Sequence, residues 1–370
     1  MGAEELVASL VAIDSVNPDL VEGGAGEAEL AEFVAAWLRD AGLEVERDEA
    51  APGRTSVIAV APGTGGGCSL MLNAHLDTVG VEGMERPFEP IVRDGRLYGR
   101  GAYDMKAGLA ACMLAASRLR RERLAGDVVV AAVADEEFAS IGVQSVLKRQ
   151  RTDAAIVTEP TALRVCIAHK GFAWAELETH GRAAHGSRPA EGEDAITRMA
   201  PVLTRLAELQ STLESAAGNE LVGPGSVHAS LIEGGQELSS YPARCVLSLE
   251  RRTIPGESAD HVRHECDALV AGIEGAEARL GLVREPFRVD PDAAVVKAVA
   301  AAAAAVTGRP AELYGETYWM DAAFIQAAGI PTAVFGPGGE GAHAVEEWVD
   351  LDSVDACAEG LFLAARNLCG

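Results

Sequence analysis

The stretch LMLNAHLDT, residues 70–78, is an apolar run that leads to His75 and, two residues later, to Asp77. The run predicts a buried β-strand. Alternate side chains of a strand share a face, so His75 and Asp77 are expected to emerge together at its C-terminal end. Open α/β sheets carry their chemistry at that end of the strands. On these residues alone, the stretch predicts either a metal site or a strand-end histidine followed by an aspartate that caps a helix.

Three other apolar runs are also followed by acidic residues or a histidine. The runs and the side chains after them are Asp127–Ala134 with Asp135, Glu136 and Glu137, Ala154–Val157 with Glu159, and Pro331–Phe335 with His343. Three adjacent acidic side chains at the end of a buried strand repel one another unless a cation or solvent compensates their charge. Because four strands share this pattern, we predict that the residues after them form a metal site.

A further carboxylate, Asp104, lies in the segment GRGAYDMKAG. It directly precedes a helix that is predicted to begin at Lys106 and to run for about four turns. An aspartate in that position also serves as a helix N-cap, so its role stays open on the local sequence alone. Upstream, Phe88–Tyr98 predicts a hairpin that turns at Asp94-Gly95.

The pattern of helices and strands changes between about residues 171 and 284. Four predicted strands and two predicted helices follow one another there in the order β-α-β-β-α-β, which is typical of an antiparallel sheet with both helices on one side. We therefore predict an inserted ferredoxin-like α+β domain at residues 171–284. Residues 1–170 and 285–370 then form one discontinuous α/β domain.

Composition and charge exclude several classes of partner. With 31 Lys+Arg against 56 Asp+Glu, the chain has a net charge of −25, which argues against nucleic acid and anionic membranes. The seven cysteines are scattered without a C-x-x-C pair and predict reduced thiols in a reducing compartment. The N-terminus lacks the basic segment of a signal peptide, and no apolar run reaches the roughly 18 residues of a membrane span. These features predict a cytoplasmic protein.

Eight short motifs occur along the chain: AHLDTV, GRGAYDMKAG, DEE, TEPT, AHKGF, GRAAHGSRP, RRTIPGE and GIPTAVFGPG followed by AH. In this order they resemble the motifs of the co-catalytic metallo-hydrolases. That family includes acetylornithine deacetylase, succinyl-diaminopimelate desuccinylase, aminoacylase and the glutamate carboxypeptidases. The resemblance implies a three-layer α/β/α zinc-peptidase catalytic domain, with the inserted domain acting as a lid and dimerisation domain.

The resemblance also implies a site for two zinc or cobalt ions. His75 and Glu159 are expected to bind one ion, Glu137 and His343 the other, and Asp104 both. A set of His, Asp and Glu ligands without Cys suits a catalytic pair that keeps open positions for water. Two ions roughly 3.5–4 Å apart can share a hydroxide, lower its pKa towards about 7 and polarise the scissile carbonyl.

Two further acidic residues receive roles from the same resemblance. Glu136 is expected to be the general base; adjacent side chains diverge, so it cannot bind the same ion in the same way as Glu137. Asp77 is expected to accept the N–H of the His75 imidazole with its carboxylate and so fix the tautomer. The resemblance also implies that the peptide bond between Asp104 and Met105 is cis.

On the inserted domain, the resemblance implies that His185 reaches the substrate carbonyl across the interface of a homodimer. Arg252 and Arg244, with Arg182 and Arg188 near His185, are candidate clamps for a substrate carboxylate, because arginine binds carboxylates through two hydrogen bonds. The chain departs from the family's pattern near the expected substrate pocket. The departures are Ser240 in place of an asparagine, Glu250 in place of an aspartate and Met320 in place of a threonine.

We therefore expect a metal-dependent hydrolase that cleaves the amide bond of an N-acyl amino acid, like a deacetylase or desuccinylase, with a metal-bridged hydroxide as the nucleophile. A glutamate-carboxypeptidase-like or dipeptidase activity on small peptides is the alternative within the same class. A catalytically silent binding protein is the alternative from another class. That alternative predicts the loss of a ligand or of the base, whereas all of these residues are present.

Overall fold

The computed structural model describes residues 1–370, which divide into two compact units. Unit 1 comprises Met1–Ile167, Val289–Tyr314 and Met320–Gly370, whereas unit 2 comprises Ala168–Arg288 and Gly315–Trp319. The sequence pattern places the inserted domain at residues 171–284 and does not anticipate that the short later segment belongs with it.

Nine α-helices and seventeen strands make up the two units. The helices are α1 (Ala3–Val11), α2 (Ala28–Asp40), α3 (Ala107–Leu119), α4 (Ile141–Arg149), α5 (Ala195–Ser215), α6 (Ala259–Val270), α7 (Ala294–Thr307), α8 (Ala322–Ala327) and α9 (Leu351–Cys369). The strands are β1 (Glu44–Ala51), β2 (Arg54–Ala61), β3 (Leu70–His75), β4 (Ile91–Arg93), β5 (Arg96–Tyr98), β6 (Val128–Val133), β7 (Ala154–Val157), β8 (Val165–His169), β9 (Gly171–His180), β10 (Ser226–Gly234), β11 (Arg244–Thr253), β12 (Ala276–Arg284), β13 (Phe287–Arg288), β14 (Leu313–Glu316), β15 (Thr332–Val334), β16 (Gly339–Glu340) and β17 (Trp348–Asp350). A single π-helical turn, Ala102–Lys106, closed by a hydrogen bond from the N–H of Lys106 to the carbonyl of Gly101, precedes α3; within it Asp104 and Met105 have non-helical backbone angles.

The main sheet of unit 1 brings four parallel strands together. Its strand order is β1-β2-β6-β3-β7-β15-β8, and β6, β3, β7 and β15 run parallel to one another. Every residue of β3, β6 and β7 is buried, which explains why these strands are almost continuously apolar. Because parallel strands end at the same edge, the segments that follow these four strands all start there.

Two groups of helices cover this sheet. Helices α3, α7 and α9 pack against one another and against the central strands β3, β6, β7 and β15, and α1 joins them. Helices α4 and α8 contact each other and pack on β1, β2, β6 and β15. Since the central strands are buried on both faces, the predicted three-layer α/β/α architecture is confirmed.

Unit 2 contains a four-stranded antiparallel sheet with the order β10-β11-β9-β12. Helices α5 and α6 pack against it over a core that includes Leu177, Met199 and Leu247. Asp194 and Ser258 begin these helices by accepting hydrogen bonds from main-chain N–H groups of the first turn. The elements follow one another as β-α-β-β-α-β, and the strand arrangement is that of a ferredoxin-like fold.

The sequence does not predict β1 or the pairing of the shortest strands. β1 reads EVERDEAA and pairs only with β2 at the edge of the main sheet, where a single side chain of the strand is buried, so it carries no apolar signal. The second sheet of unit 1, β16-β17-β5-β4, consists of strands of two or three residues. Its hairpin β4–β5 does turn as predicted, at Asp94 with φ 53° and Gly95 with φ 75°.

Neither disulfides nor a membrane segment contribute to the fold. All seven cysteines are free thiols, and six of them are buried. None of the helices combines the length and the apolar character that crossing a lipid bilayer requires.

Replacing Leu72 by alanine tests how far the fold depends on β3. Leu72 is fully buried between β6 and β7. Because the change removes buried methyl groups and leaves a cavity, we expect the free energy of unfolding to fall by about 2–5 kcal/mol. The matched control is Leu20→Ala, at a side chain that is 42% exposed, and it should change that energy by about 0.5 kcal/mol or less. Urea denaturation measures both, and equal effects would contradict a central role for β3.

Candidate metal centre

Six chemically active side chains of unit 1 come together beyond the C-terminal ends of the parallel strands. They are His75 at the end of β3, Asp104 in the π-helical turn, Glu136 and Glu137 after β6, Glu159 after β7, and His343 in the loop before β17. The Asp104-Met105 peptide is cis, as the resemblance implies. The structure thus brings together all the residues that the sequence proposes as metal ligands, together with the proposed base.

Asp104 lies between the two imidazoles. Its Oδ1 is 3.2 Å from Nε2 of His75, and its Oδ2 is 3.4 Å from Nε2 of His343. Oε1 of Glu159 lies 3.8 Å from Nε2 of His75, whereas Oε2 of Glu137 lies 3.2 Å from Nε2 of His343. The donors therefore form two sets, His75 with Glu159 and His343 with Glu137, and both sets share the Asp104 carboxylate.

Glu136 and Glu137 are adjacent in the chain. Both lie near His75, but their other neighbours in the site differ. Glu137 forms a group with His75 and Asp104, and Glu136 forms a group with His75 and Glu159. Within each group the potential ligand atoms all lie within 4.8 Å of one another. The Glu136 carboxyl therefore lies beside the first donor set, while Glu137 belongs to the second.

The imidazole of His75 is oriented by a main-chain oxygen, which corrects the prediction for the Asp77 carboxylate. Nδ1 of His75 is 3.0 Å from the carbonyl oxygen of Asp77 but 3.7 Å from its Oδ1. Because a carbonyl oxygen only accepts, Nδ1 must carry the proton in this bond. Nε2 is then the nitrogen that faces Asp104 and Glu159, and it is the one available to a cation when the ring is neutral.

The carboxylate of Asp77 instead holds the loop that carries the two glutamates. Its Oδ1 accepts the main-chain N–H of Glu136 at 3.0 Å, and its Oδ2 accepts that of Glu137 at 3.1 Å. Oδ2 also accepts an amide N–H of Asn17 at 2.8 Å. With its oxygens used in this way, the buried carboxylate makes no hydrogen bond to His75, from which it lies 3.7 Å away, and it holds the main chain of the glutamates.

A buried polar network continues from Asn17 to the residue before the glutamates. The amide of Asn17 donates to Oδ1 of Asp135 at 3.0 Å, and Arg54 donates to the same oxygen at 2.8 Å and to Glu27 at 2.7 Å. Asp135 has φ 69°, a region that side chains other than glycine seldom adopt, so these contacts stabilise a strained backbone directly before Glu136. The sequence does not single out Asn17, Arg54 or Glu27, because no local spacing connects them to the site.

Burial and mutual repulsion shift the pKa values of the carboxyl groups. Burial, followed by the charge of Glu159, raises the pKa of Glu136. Burial, followed by the charge of Asp104, raises the pKa of Glu159. Asp321, a buried residue at the start of α8 that the sequence does not propose for the site, adds a negative charge that raises the pKa of both glutamates. Burial opposes ionisation of Asp104 as well, but hydrogen bonds with the two imidazoles lower its pKa.

The imidazoles respond to the same excess of negative charge. Hydrogen bonds with Asp104 and Glu137 raise the pKa of His343 to about 10. Burial lowers the pKa of His75, but the hydrogen bond with Asp104 and the nearby carboxylates raise it overall. Four carboxylates, of which Glu159 is buried and the other three are partly buried, face two imidazoles, so further positive charge would stabilise the site. Divalent cations supply it, and nitrogen and carboxylate donors without thiolate suit a catalytic zinc or a similar ion, so the residues present fit such a pair.

His185, in the loop after β9 of unit 2, is exposed and has a defined hydrogen-bonding pattern. Its Nδ1 accepts the main-chain N–H of Ser187 at 3.2 Å and lies 2.8 Å from the hydroxyl of the same residue. Because a main-chain N–H only donates, Nδ1 is an acceptor and Nε2 carries the proton of the neutral ring. His185 therefore presents a hydrogen-bond donor at its exposed edge.

Two of the four predicted arginine clamps, Arg244 and Arg252, differ in their contacts within unit 2. The other two, Arg182 and Arg188, form ion pairs with Glu193 and Glu191. Arg244 makes two hydrogen bonds to Glu178 through Nε and Nη2, the latter at 2.8 Å. This contact uses the Nε and Nη2 side of the guanidinium and compensates its charge, so Arg244 is the less suitable of these two candidates for a carboxylate clamp. Arg252 contacts Glu250 through Nε at 2.5 Å and lies over the ring of Phe172, 5.2 Å from its centroid. Arg252 stays a candidate.

Asn17→Ala tests whether the buried network positions the glutamate loop. The change removes the amide that donates to Asp77 and Asp135. Because the loop with Glu137 loses support, we expect the affinity for zinc to fall by about 10–100-fold. Calorimetric titration of the chelator-stripped protein measures it, with the exposed Asn367→Ala as matched control. Zinc affinities that are equal in the two variants would contradict the positioning role.

Comparisons with known proteins agree with this geometry. The model of Peptidase family M20/M25/M40 matches residues 71–367. Acetylornithine deacetylase of Myxococcus xanthus is 32% identical over 358 residues, covering 92% of this chain and 92% of the relative. A solved tripeptidase from Staphylococcus aureus subsp. aureus Mu50 has a TM-score of 0.81 at 22% identity, covering 99% of this chain and 98% of that chain. A Bacillus subtilis structure described as a dinuclear metal-binding peptidase of the M20 family has a TM-score of 0.74 at 18% identity, covering 99% and 97%. The chain therefore belongs to peptidase family M20/M25/M40 and is a metallohydrolase that acts on amide or peptide bonds.

Proposed function

We propose that the protein hydrolyses the amide bond of an N-acyl amino acid with two divalent cations, zinc or cobalt. His75 and Glu159 are assigned to one cation, His343 and Glu137 to the other, and Asp104 to both. The two donor sets that share the Asp104 carboxylate support this assignment. When bound, the cations polarise the scissile carbonyl and lower the pKa of the attacking water.

The observation that carries the proposal is the position of Glu136. Its carboxyl lies in one group with His75 and Glu159, while the adjacent Glu137 contacts His343. In this assignment the carboxyl of Glu136 is next to His75 and Glu159 and is not required as a ligand. Burial and the charge of Glu159 raise the pKa of Glu136, and a raised pKa makes the carboxylate a stronger proton acceptor.

In the proposed reaction, Glu136 takes a proton from water while the water oxygen forms a bond to the carbonyl carbon. The same carboxyl then passes this proton to the amide nitrogen, and the C–N bond breaks with its electron pair on the leaving amine. The products are a carboxylic acid and an amine, which become a carboxylate and an ammonium ion when the acid's proton passes to the amine, so water is the only co-substrate. Asp77 keeps Glu136 in place because its Oδ1 accepts a hydrogen bond from the main-chain N–H of Glu136 at 3.0 Å.

The substrate proposal rests on the relatives. The Myxococcus xanthus relative, 32% identical to this chain, is named acetylornithine deacetylase, which supports an acyl amino acid. A small peptide is the second candidate, because the fold is shared with a tripeptidase at a TM-score of 0.81. Arg252 is the proposed anchor for the free carboxylate of either substrate, since the net charge of −25 otherwise repels an anion.

We assign His185 to the substrate carbonyl of a second copy of the chain, in a homodimer formed through unit 2. The exposed Nε2–H supports this role, because a donor at the carbonyl oxygen stabilises the negative charge that develops there. The assignment makes each active site depend on two copies.

The proposed location is the cytoplasm. All seven cysteines are free thiols, and disulfides form in oxidising compartments. The net charge of −25 also disfavours nucleic acid and anionic membranes, so small molecules and a second copy of the chain are the proposed partners.

Glu136→Gln tests the general base. Because glutamine keeps the shape but cannot accept the proton, we expect kcat to fall by about 10²–10⁴-fold while two zinc ions still bind. The assay uses N-acetyl and N-succinyl amino acids and dipeptides with zinc- or cobalt-loaded protein, and the exposed Glu22→Gln is the matched control. Unchanged kcat would contradict the role of Glu136. Stoichiometric zinc with no hydrolysis of any substrate by the native protein would favour a binding protein.

Mixing two inactive variants tests the role of His185. In a heterodimer of Glu136→Ala and His185→Ala copies, one site combines an intact Glu136 with an intact His185 if the histidine comes from the partner. Co-expression should then restore about a quarter of the native activity, because half of the dimers are mixed and half of their sites are complete. Activity no higher than in the separate variants would contradict a histidine supplied by the second copy.

A further inference from the structure

Glu347 is a buried carboxylate four residues after His343, and its side chain is directed at the segment before Asp104. Its Oε1 accepts the main-chain N–H groups of Tyr103 and Asp104, each at 2.9 Å. Its Oε2 accepts the main-chain N–H of Gly101 at 2.9 Å. One side chain from the segment of His343 thus holds three main-chain groups in the segment that carries Asp104.

Arg100 completes this arrangement. Its Nη1 donates to Oε2 of Glu347 at 2.7 Å, and its Nη2 donates to the carbonyl oxygen of Ala344 at 3.0 Å. Its Nε donates to the carbonyl oxygen of Gly80, in the segment that follows β3, at 3.1 Å. Arg100 and Glu347 are 3% and 1% exposed, so water does not compete for these contacts. The pair joins the segments that follow β3, precede α3 and contain His343.

We propose, on the basis of the proposed function, that Glu347 and Arg100 are positioning residues that set the spacing between Asp104 and His343. Asp104 and His343 belong to the donor set of the second cation, together with Glu137. Both lie outside regular strands, and His343 has φ 62°, so the main sheet does not hold them directly.

The first donor set is positioned in another way. His75 is the last residue of β3, and Glu159 comes two residues after β7, so both are held by buried parallel strands. Loss of Glu347 is therefore expected to weaken the binding of the second cation more than that of the first, which shares only Asp104 with it. If Glu347 had a purely structural role, its loss would weaken the binding of both cations equally and would also lower the stability of the fold.

Glu347→Gln is the test variant, because it keeps the size of the side chain but provides only one acceptor oxygen. The amide nitrogen then faces either the Arg100 and Gly101 donors or the Tyr103 and Asp104 donors, and donors that face each other are costly when buried. The matched control is Glu346→Gln, an exposed neighbour in the chain. Arg100→Lys is the second variant, because lysine keeps the charge but not the fork that reaches Gly80 and Ala344.

The experiment is calorimetric zinc titration of the chelator-stripped full chain. The native protein and Glu346→Gln are expected to bind two ions with the same affinities. In Glu347→Gln and Arg100→Lys, the affinity for one ion should fall by about 10–100-fold and the affinity for the other by a clearly smaller factor, as it should in His343→Ala. Native affinities for both ions, or an equal loss for both, would overturn the proposal.

Hydrogen exchange of the same proteins separates this proposal from the proposed function. A native protein that binds no zinc overturns the two-cation assignment, but the hydrogen bonds to Glu347 are still measurable. Peptides that span residues 101–104 are expected to exchange faster in Glu347→Gln than in Glu346→Gln, whether zinc is present or not. Equal exchange in these peptides would overturn the positioning role even if the native protein binds two ions.

Discussion

The concentration of buried carboxylates beyond the parallel strands is the constraint on which unit 1 depends. Strands β6, β3 and β7 run parallel, so the acidic residues that follow them meet at one edge. Burial there removes the water that otherwise screens their repulsion, and the pKa values of Glu136 and Glu159 are raised as a result. Two imidazoles compensate part of this charge around Asp104. We propose that a pair of divalent cations compensates the rest.

Two other carboxylates near the site act on the main chain. Asp77 accepts N–H groups from Glu136 and Glu137, and Glu347 accepts them from the segment that ends at Asp104. A carboxylate has several lone-pair sites, so one buried side chain can order a whole loop. A buried carboxylate therefore orders the main chain at the proposed base, Glu136, and another does so at the proposed shared ligand, Asp104. The two carboxylates come from distant parts of the chain.

The type of reaction and the choice of substrate depend on different parts of the chain. The residues matched to the family model, 71–367, include all the proposed ligands and the proposed base. The proposed contacts to substrate are instead polar side chains of unit 2, and there the structure narrows the sequence-based proposal. Arg244 is paired with Glu178 through Nε and Nη2, so we favour Arg252 as the proposed carboxylate anchor.

The sequence by itself determined the central strands and the candidate residues after them, because burial on both faces leaves a continuous apolar run that is visible locally. His75 and Glu159 follow directly from that pattern, whereas the bridging role of Asp104 required the resemblance as well. Strand β1 escaped prediction because an edge strand needs no such run. The tertiary structure alone decided which polar groups meet: the carbonyl of Asp77 at His75, Asn17 at Asp77, and Glu347 at the segment of Asp104. Hydrophobic periodicity is a property of neighbouring residues, whereas a hydrogen bond joins groups that only the packing of distant segments brings within 3 Å or so of each other.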